Sequence, residues 1–292
     1  MSTLILPAFD LLVPQSLTEA VDALARYGKD AAVLAGGTDL LVSMKAGLTW
    51  PYVLSLAEIP DLDYVRFDPA KGLSIGAMAT MRQIVESDAV KTRYPALWQS
   101  AAQNGTPQTR NTATVVGNIM RASPSGDCSC AILALGASLT LQGPAGTREV
   151  PIDDFWLDYM KTARQPDELA VALTLPPPPA GTRSAVLALN RTSQDLSKIS
   201  AACALTLEGT TCRSARLAMG AVAPTPLRMR QTEGHLTGAP LTDATLTAVA
   251  DAARAEVKPI DDIRSTAAYR RTVSGTLLAR TITKALSNGV AH

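Results

Sequence analysis

Two short stretches hold residue types that bind anions through the backbone. In residues 31–42 (AAVLAGGTDLLV) an apolar strand runs into Gly36-Gly37-Thr38-Asp39 and then into further apolar residues. A strand ending in paired glycines and a threonine can turn its amide N–H groups outward as an anion-binding nest. It is neither a Walker loop, since no Gly-Lys-Ser/Thr follows, nor the G-x-G-x-x-G fingerprint of a dinucleotide fold. The second stretch, residues 105–137, is poor in charge and rich in Gly, Ser, Thr and Asn, yet it leads straight into an apolar segment at 131–137. Such a loop is packed inside the protein, where its backbone must find partners and its small residues let another molecule approach. Each stretch alone could be a ligand-free turn, or a turn followed by a strand. Together they point to one elongated diphosphate ligand held between them.

Other chemistries are poorly supplied. Only His235 and His292 offer imidazoles, and neither has companions for a metal site or a Ser-His-Asp arrangement. Cys128-Ser129-Cys130 could ligate a metal, but the spacing alone is weak and no histidine lies nearby; ordinary buried thiols are expected there and at Cys203 and Cys212. No catalytic residue and no metal ligand is therefore nominated.

The two loops carry a resemblance. Ala35-Gly36-Gly37-Thr38-Asp39-Leu40-Leu41, the run Asn111 to Ile119 (NTATVVGNI), and then Ala122-Ser123-Pro124 and Asp127 are similar to the flavin-binding subunit of the molybdenum hydroxylases. That family includes the medium subunit of carbon monoxide dehydrogenase and the FAD domain of xanthine dehydrogenase. The similarity continues through the run Gly220 to Arg228 (GAVAPTPLR), the run Pro259 to Ser265 (PIDDIRS) and Tyr269-Arg270-Arg271, and so spans almost the whole chain. It implies an α+β fold: a two-part FAD-binding domain of the PCMH (vanillyl-alcohol-oxidase) type at 1–177, and at 178–292 a smaller domain with a three-stranded sheet and helices.

The resemblance also implies site residues. Val33, Leu34, Ala35, Gly36, Gly37, Thr38, Asp39 and Leu40 would run along the FAD diphosphate, mainly through main-chain contacts, with Asp39 bracing neighbouring backbone N–H groups. Ala113, Thr114, Gly117 and Asn118 match further diphosphate and flavin contacts. The usual Gly-Gly-Asn reads Val116-Gly117-Asn118 here, which is tolerable if φ at Val116 is negative. Asp127 matches the acidic residue at the ribose or adenine end; the alternative for it is a cap on the following helix. Ala170 matches a backbone contact to the ring. The Lys that commonly precedes an Arg in the first strand of the second domain is missing from Leu187-Ala188-Leu189-Asn190-Arg191, so Asn190 or Arg191 compensates, or the ring meets a different environment.

Elements to position these residues can be read in order. Ser16 with Glu19 forms a capping box for a helix over 16–27, stopped by Gly28. Strands are expected at 31–35, 51–56, 73–77 and 169–175, with a hairpin at 138–142 and 147–151. Thr80 with Gln83 starts one helix and Pro95 another. Four prolines at 176–179 form a stiff joint, or else a polyproline ligand for an SH3-type module. Beyond it come strands at 185–189, 199–207 and 215–222 and helices at 245–255 and 266–286. On the last helix Tyr269, Val273, Leu277, Ile282 and Leu286 nearly share a face.

With 292 residues, 47% of them hydrophobic and 18% charged, the chain is long and apolar enough for a substantial core. A formal net charge of +1 without a basic block makes nucleic acid an unexpected partner. The first residues lack a basic signal-like start and no apolar run is long enough to span a bilayer, so a cytoplasmic location is expected.

The expected function is electron transfer. FAD in this chain would take electrons from [2Fe–2S] clusters of a small subunit, while a large molybdopterin subunit oxidises substrate. The assembly expected is a dimer of heterotrimers, delivering electrons to an outside acceptor. Two alternatives are a free-standing FAD-dependent oxidase of a small substrate and a nucleotide-binding regulatory module.

Overall fold

The computed structural model describes residues 5–287. His292 lies outside them. The chain opens with a parallel sheet of β1 (Asp10–Leu12), β2 (Ala31–Leu34) and β3 (Tyr52–Ser55), in the order β1-β3-β2. Parallel strands need crossovers, supplied here by α1 (Leu17–Tyr27) and by α2 (Leu40–Lys45). At the head of α1, Ser16 Oγ accepts the Glu19 N–H at 3.2 Å. The Glu19 carboxylate takes the N–H of Gln15, at 2.8 Å, not that of Ser16, so the return leg of the expected box falls one residue early.

A five-stranded antiparallel sheet follows, ordered β4-β5-β10-β6-β7. Its strands are β4 (Val65–Asp68), β5 (Gly72–Gly76), the hairpin of β6 (Ser138–Gly143) and β7 (Gly146–Pro151), and β10 (Leu169–Leu175). The ribbon β8 (Trp156–Asp158) and β9 (Lys161–Thr162) precedes β10. Six helices are inserted between β5 and β6: α3 (Met81–Glu86), α4 (Asp88–Arg93), α5 (Pro95–Gln103), α6 (Pro107–Arg110), α7 (Val115–Met120) and α8 (Ser129–Leu135). Both legs of the Thr80–Gln83 capping box are present, at 2.7 and 3.2 Å. The apolar segment after residue 130 is helix, not strand: every residue of α8 is buried, and Gly136 ends it in the left-handed region with φ +69.

The third sheet is β11 (Thr182–Leu189), β12 (Ile199–Glu208), β13 (Thr211–Gly220) and β14 (Leu227–Arg228), in that order. The three expected strands are thus joined by a two-residue edge strand. After the turn α9 (Arg230–Glu233), α10 (Asp243–Glu256) and α11 (Ala267–Ser287) complete the chain. Both faces of this sheet are covered. Ala185, Ala201, Cys203, Leu205, Leu217 and Met219 join the core under α10 and α11, whereas Val186, Ala202 and Ala218 belong to the core shared with α5 and α8. Burial on both faces accounts for the unbroken small-apolar run Ile199-Ser200-Ala201-Ala202-Cys203, where a half-exposed strand would alternate. The edge strand β11 is blunted: Gln99 Oε1 accepts the Val186 N–H at 3.1 Å, and Lys284 Nζ donates to the Val186 carbonyl at 3.0 Å.

The face of α11 differs from expectation. Its buried residues are Arg270, Ser274, Gly275, Leu278, Thr281, Ile282 and Ala285, while Tyr269 is exposed and Val273 and Leu277 are only partly covered. Small residues occupy the seam because the helices approach closely: a Cβ on Gly275 would lie 2.2 Å from the Ala250 carbonyl oxygen of α10. The buried Arg270 is matched by a two-bond contact to Asp262, both at 2.8 Å.

Candidate functional site

A cavity of about 640 Å3 opens where the C-terminal end of β2, the start of α7 and the bulged part of β10 converge. Thirteen of the fourteen nominated residues line it: Val33, Ala35, Gly36, Gly37, Thr38, Asp39, Leu40, Ala113, Thr114, Gly117, Asn118, Asp127 and Ala170. Leu34 does not. Its side chain instead packs beneath the turn, 3.1 Å from where a Cβ on Gly37 would stand.

The first loop is shaped by its two glycines for different reasons. Gly36 sits so close to the second loop that a Cβ would lie 1.7 Å from the Thr112 carbonyl oxygen. Gly37 adopts φ +69, where an L side chain is strained, and a Cβ there would also press on Leu34 and Leu41. Among the described residues, no hydrogen bond engages the amide N–H of Gly36, Gly37, Thr38 or Asp39, and all four residues border the cavity. Four consecutive free donors beside a cavity form an anion cradle.

Asp39 does not brace backbone N–H groups as expected. Its carboxylate meets the Arg121 guanidinium (Nε to Oδ1, 2.7 Å) and accepts the Ser43 hydroxyl at 3.3 Å. A free loop carboxylate beside an anion cradle would repel the ligand, and pairing with Arg121 offsets that charge.

In the second loop, Thr114 Oγ1 caps α7 by accepting the Gly117 N–H at 3.1 Å. Gly117 is required because a Cβ there would come within 2.6 Å of that same oxygen. Val116 lies inside α7 with its side chain buried, so the departure from Gly-Gly-Asn is accommodated by ordinary helical backbone. Asn118 Oδ1 accepts the Cys128 N–H at 3.2 Å, which fixes the carboxamide and leaves its NH2 for the cavity.

Asp127 is no helix cap: α8 has no side-chain cap, and the carboxylate instead accepts the Asn104 amide N–H at 2.5 Å. Burial pushes its pKa up to about 6, against the lowering effect of that hydrogen bond. Sequence reasoning missed Asn104, Arg121 and Arg164. Arg121 stands directly after the Gly-Asn-Ile-Met run and could have been suspected from that; Asn104 ends an otherwise apolar helix face and gave no such signal.

The missing lysine is not replaced by its neighbours. Arg191 is exposed and pairs with Asp195 at 3.0 Å, and neither Arg191 nor Asn190 borders the cavity. Arg164 does border it. Its Nη1 donates to the Pro166 and Glu168 carbonyls, and burial lowers its pKa. The nearby Glu168 carboxylate is claimed by Arg148, at 2.6 and 2.8 Å, and its pKa is lowered mainly by that contact. From the third sheet's side only Leu196 reaches the cavity wall.

The thiols stand apart from this chemistry. Cys128 Sγ contacts Met81 Sδ at 3.6 Å and Cys130 Sγ lies 3.3 Å from Ser200 Oγ. Burial raises both, Cys130 to about 11 and Cys128 further still. His235 is exposed and away from the cavity.

The residues fit an elongated diphosphate nucleotide. Volume, a cradle of free amides and close-packed glycines are present together, and the flanking polar groups Asn118, Asp127 and Arg164 can meet hydroxyls and a polar ring. Comparison with known proteins gives the same picture. The family described as the FAD binding domain in molybdopterin dehydrogenase matches residues 7–178, and the CO dehydrogenase flavoprotein C-terminal domain matches residues 184–285. The carbon monoxide dehydrogenase medium chain of Hydrogenophaga pseudoflava is 33% identical over 280 residues, covering 96% of this chain and 97% of that one. The xanthine dehydrogenase FAD-binding subunit of Escherichia coli O157:H7 is 30% identical, covering 93% and 94%. A solved carbon monoxide dehydrogenase from Hydrogenophaga pseudoflava superposes with a TM-score of 0.93 at 34% identity, over 97% of this chain and 99% of that one. Quinoline 2-oxidoreductase from Pseudomonas putida 86 superposes at 0.91 with 26% identity, over 98% and 100%.

Proposed function

Since the chain belongs to the FAD-binding medium-subunit family of the molybdenum hydroxylases, we propose that it is the electron-transfer subunit of such an oxidoreductase complex. It takes electrons from [2Fe–2S] clusters of a small partner and passes them to an external acceptor, while a large molybdopterin partner oxidises the substrate. The relatives are named as medium chains and FAD subunits of dehydrogenases, which supports the presence of both partners here. A dimer of heterotrimers in the cytoplasm is the assembly this reading implies. No helix among the described residues is long and apolar enough to cross a membrane. A division at 177/178, before the third sheet, accompanies it.

The observation that carries the reading is the run of unbonded amides from Gly36 to Asp39, in residues that all border the cavity. These donors neutralise the diphosphate without a mobile side chain to order. Val33, Ala35 and Leu40 wall the first loop, and Ala113, Thr114, Gly117 and Asn118 face it from the second. Asp127 accepts hydroxyls, and Ala170, at the bulge in β10, leaves room for a ring. Leu34 serves from below by holding the Gly37 turn. FAD bound here would supply the exchange between paired and single electrons that neither loop can perform. A free-standing oxidase would need a proton acceptor over the ring, and the described histidine lies elsewhere.

Isolation of the chain with and without its partners tests the proposal. The isolated chain is expected to hold FAD that the complex's substrate does not reduce, with reduction restored on adding the iron–sulfur and molybdenum subunits. Rapid reduction of the isolated chain by that substrate would refute it.

A further inference from the structure

Asn104 ends α5 and is almost wholly buried, at 8% exposure, yet it borders the cavity. Its backbone is pinned from the other side, since Arg110 Nη1 donates to the carbonyls of Asn104 and Gly105, both at 3.0 Å. Its Nδ2 donates to Asp127 Oδ2 at 2.5 Å. Its own Oδ1 is buried and has no partner among the described residues. The amide therefore stays at a cost, because an unpaired buried acceptor destabilises a fold. An ionised carboxylate offers only acceptors, so the amide nitrogen must be the end turned toward it. Asp127 is left with one carboxylate oxygen for a ligand.

We propose that Asn104 is a positioning residue for the nucleotide site, holding one Asp127 carboxylate oxygen so that the second accepts a hydroxyl of the bound flavin nucleotide. The inference rests on the FAD reading above. The hydroxyl can belong to the ribityl chain or to the adenosine ribose, which share this chemistry. Without the Asn104 donor the carboxyl would take up a proton more readily and lose its fixed orientation. The neighbouring Cys128 and Cys130 thiols, raised by burial, stay neutral between pH 5 and 8. The rise of the Asp127 pKa to about 6 puts its titration inside that range.

The test is the affinity of the full chain for FAD and for FMN between pH 5 and 8, read from flavin fluorescence, in wild type, Asn104→Leu and Asn104→Ala. Wild-type FAD affinity should fall several-fold as pH drops through about 6, because the carboxylate accepts better than the carboxylic acid. In both variants the inflection should move to higher pH, and affinity at pH 7 should fall about 10- to 150-fold, the span expected for a charge-assisted hydrogen bond. Thermal unfolding shows which variants are folded, and the Ala variant stands in if the Leu variant is not. The same displacement with FMN assigns the hydroxyl to the ribityl chain, and its restriction to FAD assigns it to the adenosine ribose; either supports the proposal. An inflection at the same pH in wild type and variants would overturn this inference alone. Wild type that binds no FAD at any pH would overturn the functional reading and this inference with it.

Discussion

The Arg121 guanidinium grips the Asp39 carboxylate at 2.7 Å and so joins the end of α7 to the start of α2. The two residues belong to different anion loops, 82 positions apart in sequence. Their contact bridges the loops at the cavity rim, yet both side chains are partly exposed. Such pairs contribute about 0–1 kcal/mol. Asp39→Asn should therefore weaken FAD binding by no more than about fivefold, and added salt should weaken the wild type toward the variant. Fluorescence titration at low and high salt checks this; a loss of binding altogether would mean that Asp39 does more than neutralise Arg121.

Gly36→Ala and Gly37→Ala should separate two roles. The first places a methyl group 1.7 Å from the Thr112 carbonyl oxygen, so the loops must part; FAD should be lost and the melting temperature should drop markedly. The second leaves the loops in contact and imposes mainly left-handed strain, of about 1–2 kcal/mol. A larger Gly37→Val change should abolish FAD binding, but through strain and collision with Leu34 and Leu41 rather than by filling the diphosphate's place. Flavin content and thermal melting of the purified variants distinguish these cases, and a Gly36 variant with full flavin would defeat the close-approach argument.

Asp127 makes FAD-free protein sensitive to pH in an unusual direction. Its carboxyl protonates near pH 6 when folded and near 4 when unfolded, so the folded state holds an extra proton between those values. Its effect on stability is thus most favourable below about pH 4 and worsens as pH rises through 6. Two units correspond to about 3 kcal/mol. Asp127→Asn should stabilise the FAD-free chain at pH 7.5 by about 1–3 kcal/mol and weaken its FAD binding. Urea titrations at pH 5 and 7.5 measure it, and a variant less stable than wild type at pH 7.5 would contradict the assignment.

Asp153 is the hub between the third sheet and the rest of the chain. It accepts from Arg216 at 2.5 Å, Arg228 at 2.8 Å and Arg230 at 2.9 Å. Burial alone would raise its pKa, but the Arg228 and Arg216 hydrogen bonds prevail and hold it below the usual carboxylate value. Asp153→Ala takes the shared carboxylate from Arg216 and Arg228, which keep the Leu133 carbonyl and Glu233 respectively, and should destabilise by about 1.5–3 kcal/mol. Arg230→Ala, at an exposed position, should stay within about 1 kcal/mol. Equal effects of the two substitutions on urea unfolding would show that the hub is not where the stability resides.

The sequence revealed the loops and most elements because their signals are local. The Thr80–Gln83 box, the Gly36–Gly37 pair and the hairpin at 138–142 and 147–151 each specify their own few residues, and the structure follows them closely. What escaped was set at a distance. The face of α11 is turned toward Arg270, Ser274 and Gly275 because Ala250 lies against it, which no periodicity of apolar residues could disclose. Asn104 and Arg121 enter the site only when α5 and α7 are brought beside Asp127 and Asp39. The missing lysine misled for the same reason: Arg164, which sits on the cavity wall, comes from a loop before β10 and not from the strand where a cation was sought.

The third sheet is buried on both sides, and that bears on how this chain can be taken apart. Its Val186, Ala202 and Ala218 are interior residues of the preceding half, and the Ala96 and Val186 amides are each satisfied across the boundary, by Ser184 and Gln99. The four prolines between β10 and β11 therefore act as a strap laid over a finished joint, not as a hinge between movable lobes. A protease that nicks the strap should yield two fragments that stay together and keep their flavin. Either fragment expressed alone would bare an apolar face and aggregate, whereas the two expressed together should find each other and complement. Gene rearrangements that shuffle one half without the other would thus be disfavoured from the start.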